Sequence, residues 1–168
     1  VDGRPTLALG RVDPAHPEAE GVGRRPGPRL LAVVLAHQAL ATSPDCADAY
    51  VLLAEHAEGR KRALELYQEG VDAATRALAP ALFQEAAGAF WGLPETRPFM
   101  RAKLGLAETL WTLGRREEAV EQVREMLRLN PNDNQGVRYT LAAWLLNLDR
   151  DDDLARLPHA PAEFAFDR

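Results

Sequence analysis

Cysteine is almost missing from this chain of 168 residues: Cys46 stands alone. One thiol excludes an intramolecular disulfide, and that scarcity fits a reducing, cytoplasmic setting. Serine is as rare, with Ser43 the single example. It lies in the turn Thr42-Ser-Pro-Asp45 with no GxSxG around it, so the strained nucleophile elbow of a serine hydrolase is excluded. Cys46 opens a helix with no histidine nearby in sequence, which leaves thiol catalysis unsupported. No apolar run approaches a signal sequence or a membrane span, so no membrane association is expected. Charge of one sign is also lacking. The 20 basic residues are scattered and outnumbered by 25 acidic ones, for a formal charge of −5. A phosphate backbone gains little from such a surface, and nucleic acid is not an expected partner.

Metal and cofactor signals fail on spacing. His16, His37, His56 and His159 are dispersed, with no pair at ligand spacing on a helix, which argues against zinc. Asp149, Asp151 and Asp153 imitate the start of a calcium loop, but Leu154 stands where glycine is required and Ala160 where the bidentate glutamate belongs. Gly21-Val-Gly23 follows no predicted strand and is interrupted by Pro26, so it is no phosphate loop. No cofactor, no metal and no catalytic residue is expected.

What the chain has is helix. Residues 1–27 are rich in Pro and Gly without helical period and read as an irregular arm. From Pro28 the apolar spacing turns helical. Leu30, Leu31, Val34, Leu35, Gln38 and Leu40 form a first stripe, ended at Thr42-Ser-Pro-Asp45. Asp45 is placed to cap a second helix with Ala49, Leu52, Leu53 and His56 inward. A third follows from Arg60 to about Leu78, stopped by Pro80. The aromatic segment from Pro80 to Pro94 holds Phe83, Phe90 and Trp91 and reads as a short helix and a turn. Thr96 is placed to cap the next helix, which runs to Leu113, breaks at Gly114 and is followed by another from Arg115 to Leu129. After Asn130-Pro131, Val137, Leu141, Trp144 and Leu145 predict a further helix, and Asp151–Leu157 a last short one. The predicted helical domain is residues 28–158, with a tail over 159–168.

The helices recur in pairs with a register. Ser43-Pro-Asp45 aligns with Asn130-Pro-Asn132, each preceding a helix. The best-preserved unit, MRAKLGLAETLWTLGRREEAVEQVREMLRLNP (Met100 to Pro131), resembles a tetratricopeptide repeat. Leu106, Ala107, Leu110, Ala119, Val123 and Pro131 sit at that family's characteristic positions, with GRREEA between the helices. Lys103 replaces the frequent tryptophan, and Asp149-Arg-Asp-Asp-Asp153 replaces a glycine turn. SPDCADAYVLLAEHA, FWGLPETRPFMRA and MLRLNPNDNQGVRY look like a group of bacterial tetratricopeptide-repeat proteins distantly similar to the suppression-of-tumorigenicity-7 family. The resemblance covers roughly residues 29–157. It implies an all-α solenoid of antiparallel helix pairs, about two to three repeats long, with the aromatic segment inserted.

Within such an array the first helix of each pair lines a concave face, so a non-catalytic protein- or peptide-binding adaptor or scaffold is the expected function. Arg101, Glu108, Trp111, Gln135 and Arg138 are the expected partner-binding residues. Asp48, Glu55 and Glu108 take groove positions where carboxylate-clamping relatives of that architecture use lysine and asparagine. A second expectation is a self-assembling module or homodimer, paired through the array ends or the segment Phe83 to Trp91. A third is an anion pocket of a sensor or enzyme, built from Glu95, Arg97, Arg101, Arg138 and Tyr139, against which salt bridges to Glu95 and Glu108 compete. In RLNPNDNQGVRY (Arg128 to Tyr139), Asn132 and Gln135 are placed to form a reciprocal helix cap.

Overall fold

The computed structural model describes residues 27–157, and there the chain is helical, with no strand among the described residues. The predicted tail, and all but the last residue of the predicted arm, lie outside them. Eight α-helices follow in order: α1 Pro28–Thr42, α2 Ala47–Glu55, α3 Arg60–Ala77, α4 Leu82–Glu85, α5 Arg97–Thr112, α6 Arg116–Leu129, α7 Val137–Asn147 and α8 Asp151–Ala155. Two single 3-10 turns, Phe90–Gly92 and Pro94–Thr96, join α4 to α5. No helix among the described residues is long and apolar enough to cross a membrane.

Short turns fold α3 back on α2 and α6 back on α5, and α3 also packs on α5. Small side chains let these helices approach. Ala73, Ala102, Ala107 and Ala119 are fully buried, and a methyl group added to Gly70 would meet the Cβ atoms of Tyr50 at 3.2 Å and Ala102 at 3.3 Å. Around those crossings Leu106, Leu110, Val120, Val123, Met126, Leu141 and Leu145 form one continuous core. Helices of this length are not stable alone, so packing between neighbours supplies most of the stability. The turn before α6 is made by Gly114, whose φ of +80° suits glycine and few other residues.

The aromatic segment belongs to that core. Phe90 is completely buried, and Phe83, Phe90 and Phe99 pack with ring centroids 5.1–5.8 Å apart, two of the three pairs edge to face. The Gly88 amide donates to the Leu129 carbonyl at 2.9 Å, tying the segment to the end of α6.

Several local expectations change. Asp45 does not cap α2; its carboxylate accepts from Arg76 of α3 at 2.8 Å. Thr96 does not cap α5; its buried hydroxyl donates to the carbonyls of Phe90 and Leu93. His56 follows the end of α2, and its carbonyl accepts from Arg29 at 3.0 Å. Of the stripe expected to bury α1, Leu40 packs inward and the rest faces out. Leu30, Leu31, Val34 and Leu35 are 42–57% exposed, and the helix docks through Val33, Ala36, Ala39 and Leu40. Lys103 of α5 is only 4% exposed. Its ammonium reaches Gln122 at 2.8 Å and Glu125 at 2.5 Å, and lies 5.4 Å from the Phe99 ring centroid, so it joins α5 to α6.

Candidate functional site

A cavity of about 180 Å³ opens between α2, α3 and α5. Val51 and Glu55 come from α2, Tyr67 from α3, and Arg101, Leu104, Gly105 and Glu108 from α5. Helical spacing produces the α5 wall: residues 101, 104, 105 and 108 fall on one face. Gly105 lets the ring of Tyr67 lie against that wall, since a Cβ there would stand 2.1 Å from the ring. Glycine inside a helix costs about 1 kcal/mol relative to alanine, and this close approach is the physical reason for it.

Electrostatics make the cavity acidic in character. Arg101 is neutralised by a two-pronged hydrogen bond to Asp48, Nε to Oδ1 at 2.9 Å and Nη2 to Oδ2 at 2.6 Å. Glu55 and Glu108 have no comparable partner among the hydrogen bonds and salt bridges of the described residues. Burial raises the carboxyl of Glu108 above its ordinary range although the residue keeps solvent contact. Burial, followed by the nearby carboxylates of Glu55 and Glu108, raises the phenol of Tyr67 as well. The arrangement leaves negative charge over an apolar floor of Val51 and Leu104.

Arg101 and Glu108 therefore share one site, and the other expected residues stand elsewhere. Trp111 stacks on Trp144 of α7 with centroids 4.5 Å apart, and the guanidinium of Arg116 lies 5.0 Å from its ring. Gln135 and Arg138 sit at the start of α7. Arg138 donates to the Pro131 carbonyl at 2.8 Å, and its Nε, like the Gln135 Oε1, is buried without a partner. The reciprocal cap of Asn132 and Gln135 does not form. Asp133 takes that place, its carboxylate accepting from the amides of Val137 at 2.7 Å and Arg138 at 3.0 Å.

The residues of the expected anion pocket are each committed differently. Arg97 donates to the Trp91 carbonyl at 3.2 Å with its guanidinium 5.6 Å from the Trp91 ring, Arg101 pairs with Asp48, and Arg138 holds Pro131. Glu95 is exposed, and Tyr139 is 80% exposed.

The sequence alone singles out neither Tyr67 nor Gly105 as a site residue. The signal for both was the lone glycine inside an otherwise unbroken helical pattern. No family model, curated protein or solved structure matches this chain.

Proposed function

We propose that this chain is a tetratricopeptide-like helical repeat module that binds a protein or peptide segment, without catalysis, on the face where α2 and α5 lie side by side. The observation that carries the reading is the cavity with Glu55, Glu108 and Tyr67 around an apolar floor. A basic side chain of a partner fits it best. Its aliphatic stem would cover Val51 and Leu104 while its charge meets Glu55 and the Glu108 carboxylate, which burial makes costly to ionise. Arg101 offers little to an acidic partner because Asp48 already holds both prongs of its guanidinium.

A peptide-display selection on the unaltered protein and on a Glu55→Lys, Glu108→Lys variant tests this. Enrichment of lysine or arginine beside apolar residues, lost in the variant, is the expected result. Equal enrichment on both proteins, or none on either, would defeat the reading. Dichroism confirms that both are folded.

Self-association has one observation in its favour. The outward row Leu30, Leu31, Val34 and Leu35 leaves α1 apolar on a solvent-facing side, as in helices that pack on both sides. Because Phe83 and Phe90 are occupied within the core, α1 rather than the aromatic segment is the surface for such pairing. Light scattering that shows a monomer at high concentration would remove this second reading.

A further inference from the structure

The last helix pair is unequal. α7 has 11 residues and α8 only five, so α8 is roughly 9 Å shorter at the helical rise of 1.5 Å per residue. Pro158, next after Leu157 in the sequence, lacks the amide needed to prolong it. Beside α8 the surface opens into a cleft of about 430 Å³, a volume within the usual range for binding pockets. Leu127 and Pro131 at the end of α6, Leu141 of α7 and Leu157 give its apolar lining.

Its rim is basic. Arg124, Arg128 and Arg156 stand around the cleft with Asp153 as the one acidic side chain. Arg124 is already paired, with Asp153 at 3.2 Å and Glu121 at 3.0 Å, and Asp153 is held by Arg150 as well, so the charge open to a partner is that of Arg128 and Arg156. Arg128 has Glu125 4.0 Å away and Arg156 has Asp153 at 3.9 Å, both at the outer limit of pairing. Both arginines are well exposed.

We infer that this cleft receives an amphipathic helix from a partner protein, one whose apolar stripe is flanked by Asp or Glu. The apolar stripe covers Leu127, Leu141 and Leu157, completing the pair that α8 leaves short, while the flanking carboxylates meet Arg128 and Arg156. Charge complementarity selects the sign of the partner, and the truncated helix selects its shape. The site is separate from the cavity at Glu108.

The test is a titration of the isotope-labelled full chain, followed by amide resonances. Two synthetic helical peptides serve as probes: one with a leucine stripe flanked by glutamates, the other identical but with lysines. The expected result, read from the amides of Leu127, Leu141 and Leu157, is saturable binding of the acidic peptide at the cleft, at least about tenfold tighter there than its lysine twin, which goes instead to the cavity at Glu108. Shifts should centre on Leu127, Leu141 and Leu157. Arg128→Glu with Arg156→Glu should reverse the preference, whereas Glu108→Gln should leave it intact. Equal affinity of both peptides at the cleft resonances, shifts of the acidic peptide centred elsewhere, or no binding of it would overturn the inference. So would two other occupants: a second copy, revealed by concentration-dependent shifts of the three leucines without peptide, or the chain's own last residues, revealed if Phe164→Ala with Phe166→Ala alone moves those resonances.

Discussion

The indole of Trp111 lies flat on that of Trp144, with centroids 4.5 Å apart and planes 2° from parallel. The pair joins α5 to α7, across a boundary where the alternative connection runs through α6. Stacked aromatic pairs contribute about 0.5–1.5 kcal/mol beyond the area they bury. A double-mutant cycle with Trp111→Leu and Trp144→Leu should return a coupling in that range, read from urea unfolding. A coupling near zero would reduce the stack to coincident burial.

Gly105 and Tyr67 are coupled by exclusion. Alanine at 105 would place its Cβ 2.1 Å from the Tyr67 ring, so either the ring leaves the cavity or α5 shifts. Overpacking of this kind costs about 1–3 kcal/mol, which exceeds the helix-propensity gain of about 1 kcal/mol. Gly105→Ala should therefore destabilise the protein, and adding Tyr67→Val should recover part of the loss. Additive losses in denaturant melts would show that the ring and the glycine act independently.

Helix positions were legible because their punctuation is local. Pro80, Gly114 and Pro131 end or separate elements at the places where each lacks a donor or adopts a backbone other residues avoid. The direction of α1 was not legible. A helix apolar on most sides offers no stripe to read, and the packing of α2 selected Val33, Ala36, Ala39 and Leu40. Caps were misread for a related reason. Asp45 finds Arg76, 31 residues away, and Arg101 finds Asp48 across 53 residues, so the decisive partners lie beyond any local window. Arg101 and Glu108 could be placed on one face from spacing alone, but Tyr67 enters their cavity only through the α3–α5 packing.

Lys103 is a buried cation with a half-exposed counter-ion. Removing the carboxylate strands the ammonium, whereas replacing lysine by an apolar side chain of similar length removes the need for a partner. Glu125→Ala should cost about 1–2 kcal/mol, discounted because Glu125 retains solvent contact. Lys103→Met should be neutral or stabilising. Thermal melts of the two variants decide it, and a larger loss in Lys103→Met would show that the ammonium is needed for the joint between α5 and α6.

The polar stretch before α7 is chiefly a turn, and its organiser is Asp133. That residue has a φ of +53°, a region asparagine and aspartate tolerate better than most. Its carboxylate also accepts the first two amides of α7. Asp133→Ala should lose about 1 kcal/mol or somewhat more, through both the cap and the backbone conformation. Asp133→Asn should lose much less. Equal losses in chemical denaturation would mean that charge, not hydrogen bonding, holds the turn.

Glu108 makes stability depend on acidity in a predictable sense. Burial raises its folded-state carboxyl above the ordinary value of 4.5, so the folded protein binds this proton more tightly than the unfolded chain does. The resulting stabilisation is fully present below pH 4.5 and is lost as pH rises through the folded-state value. At neutral pH the charged carboxylate is a liability that the proposed basic partner would relieve. Glu108→Gln should thus be more stable than the unaltered protein at neutral pH, with the difference closing in acid, while its binding of basic peptides weakens. Melting curves across that range, paired with peptide titrations at neutral pH, measure both effects on the same side chain. A variant less stable at neutral pH would mean that the ionised carboxylate is already compensated within the fold, and the case for a cationic partner would fall with it.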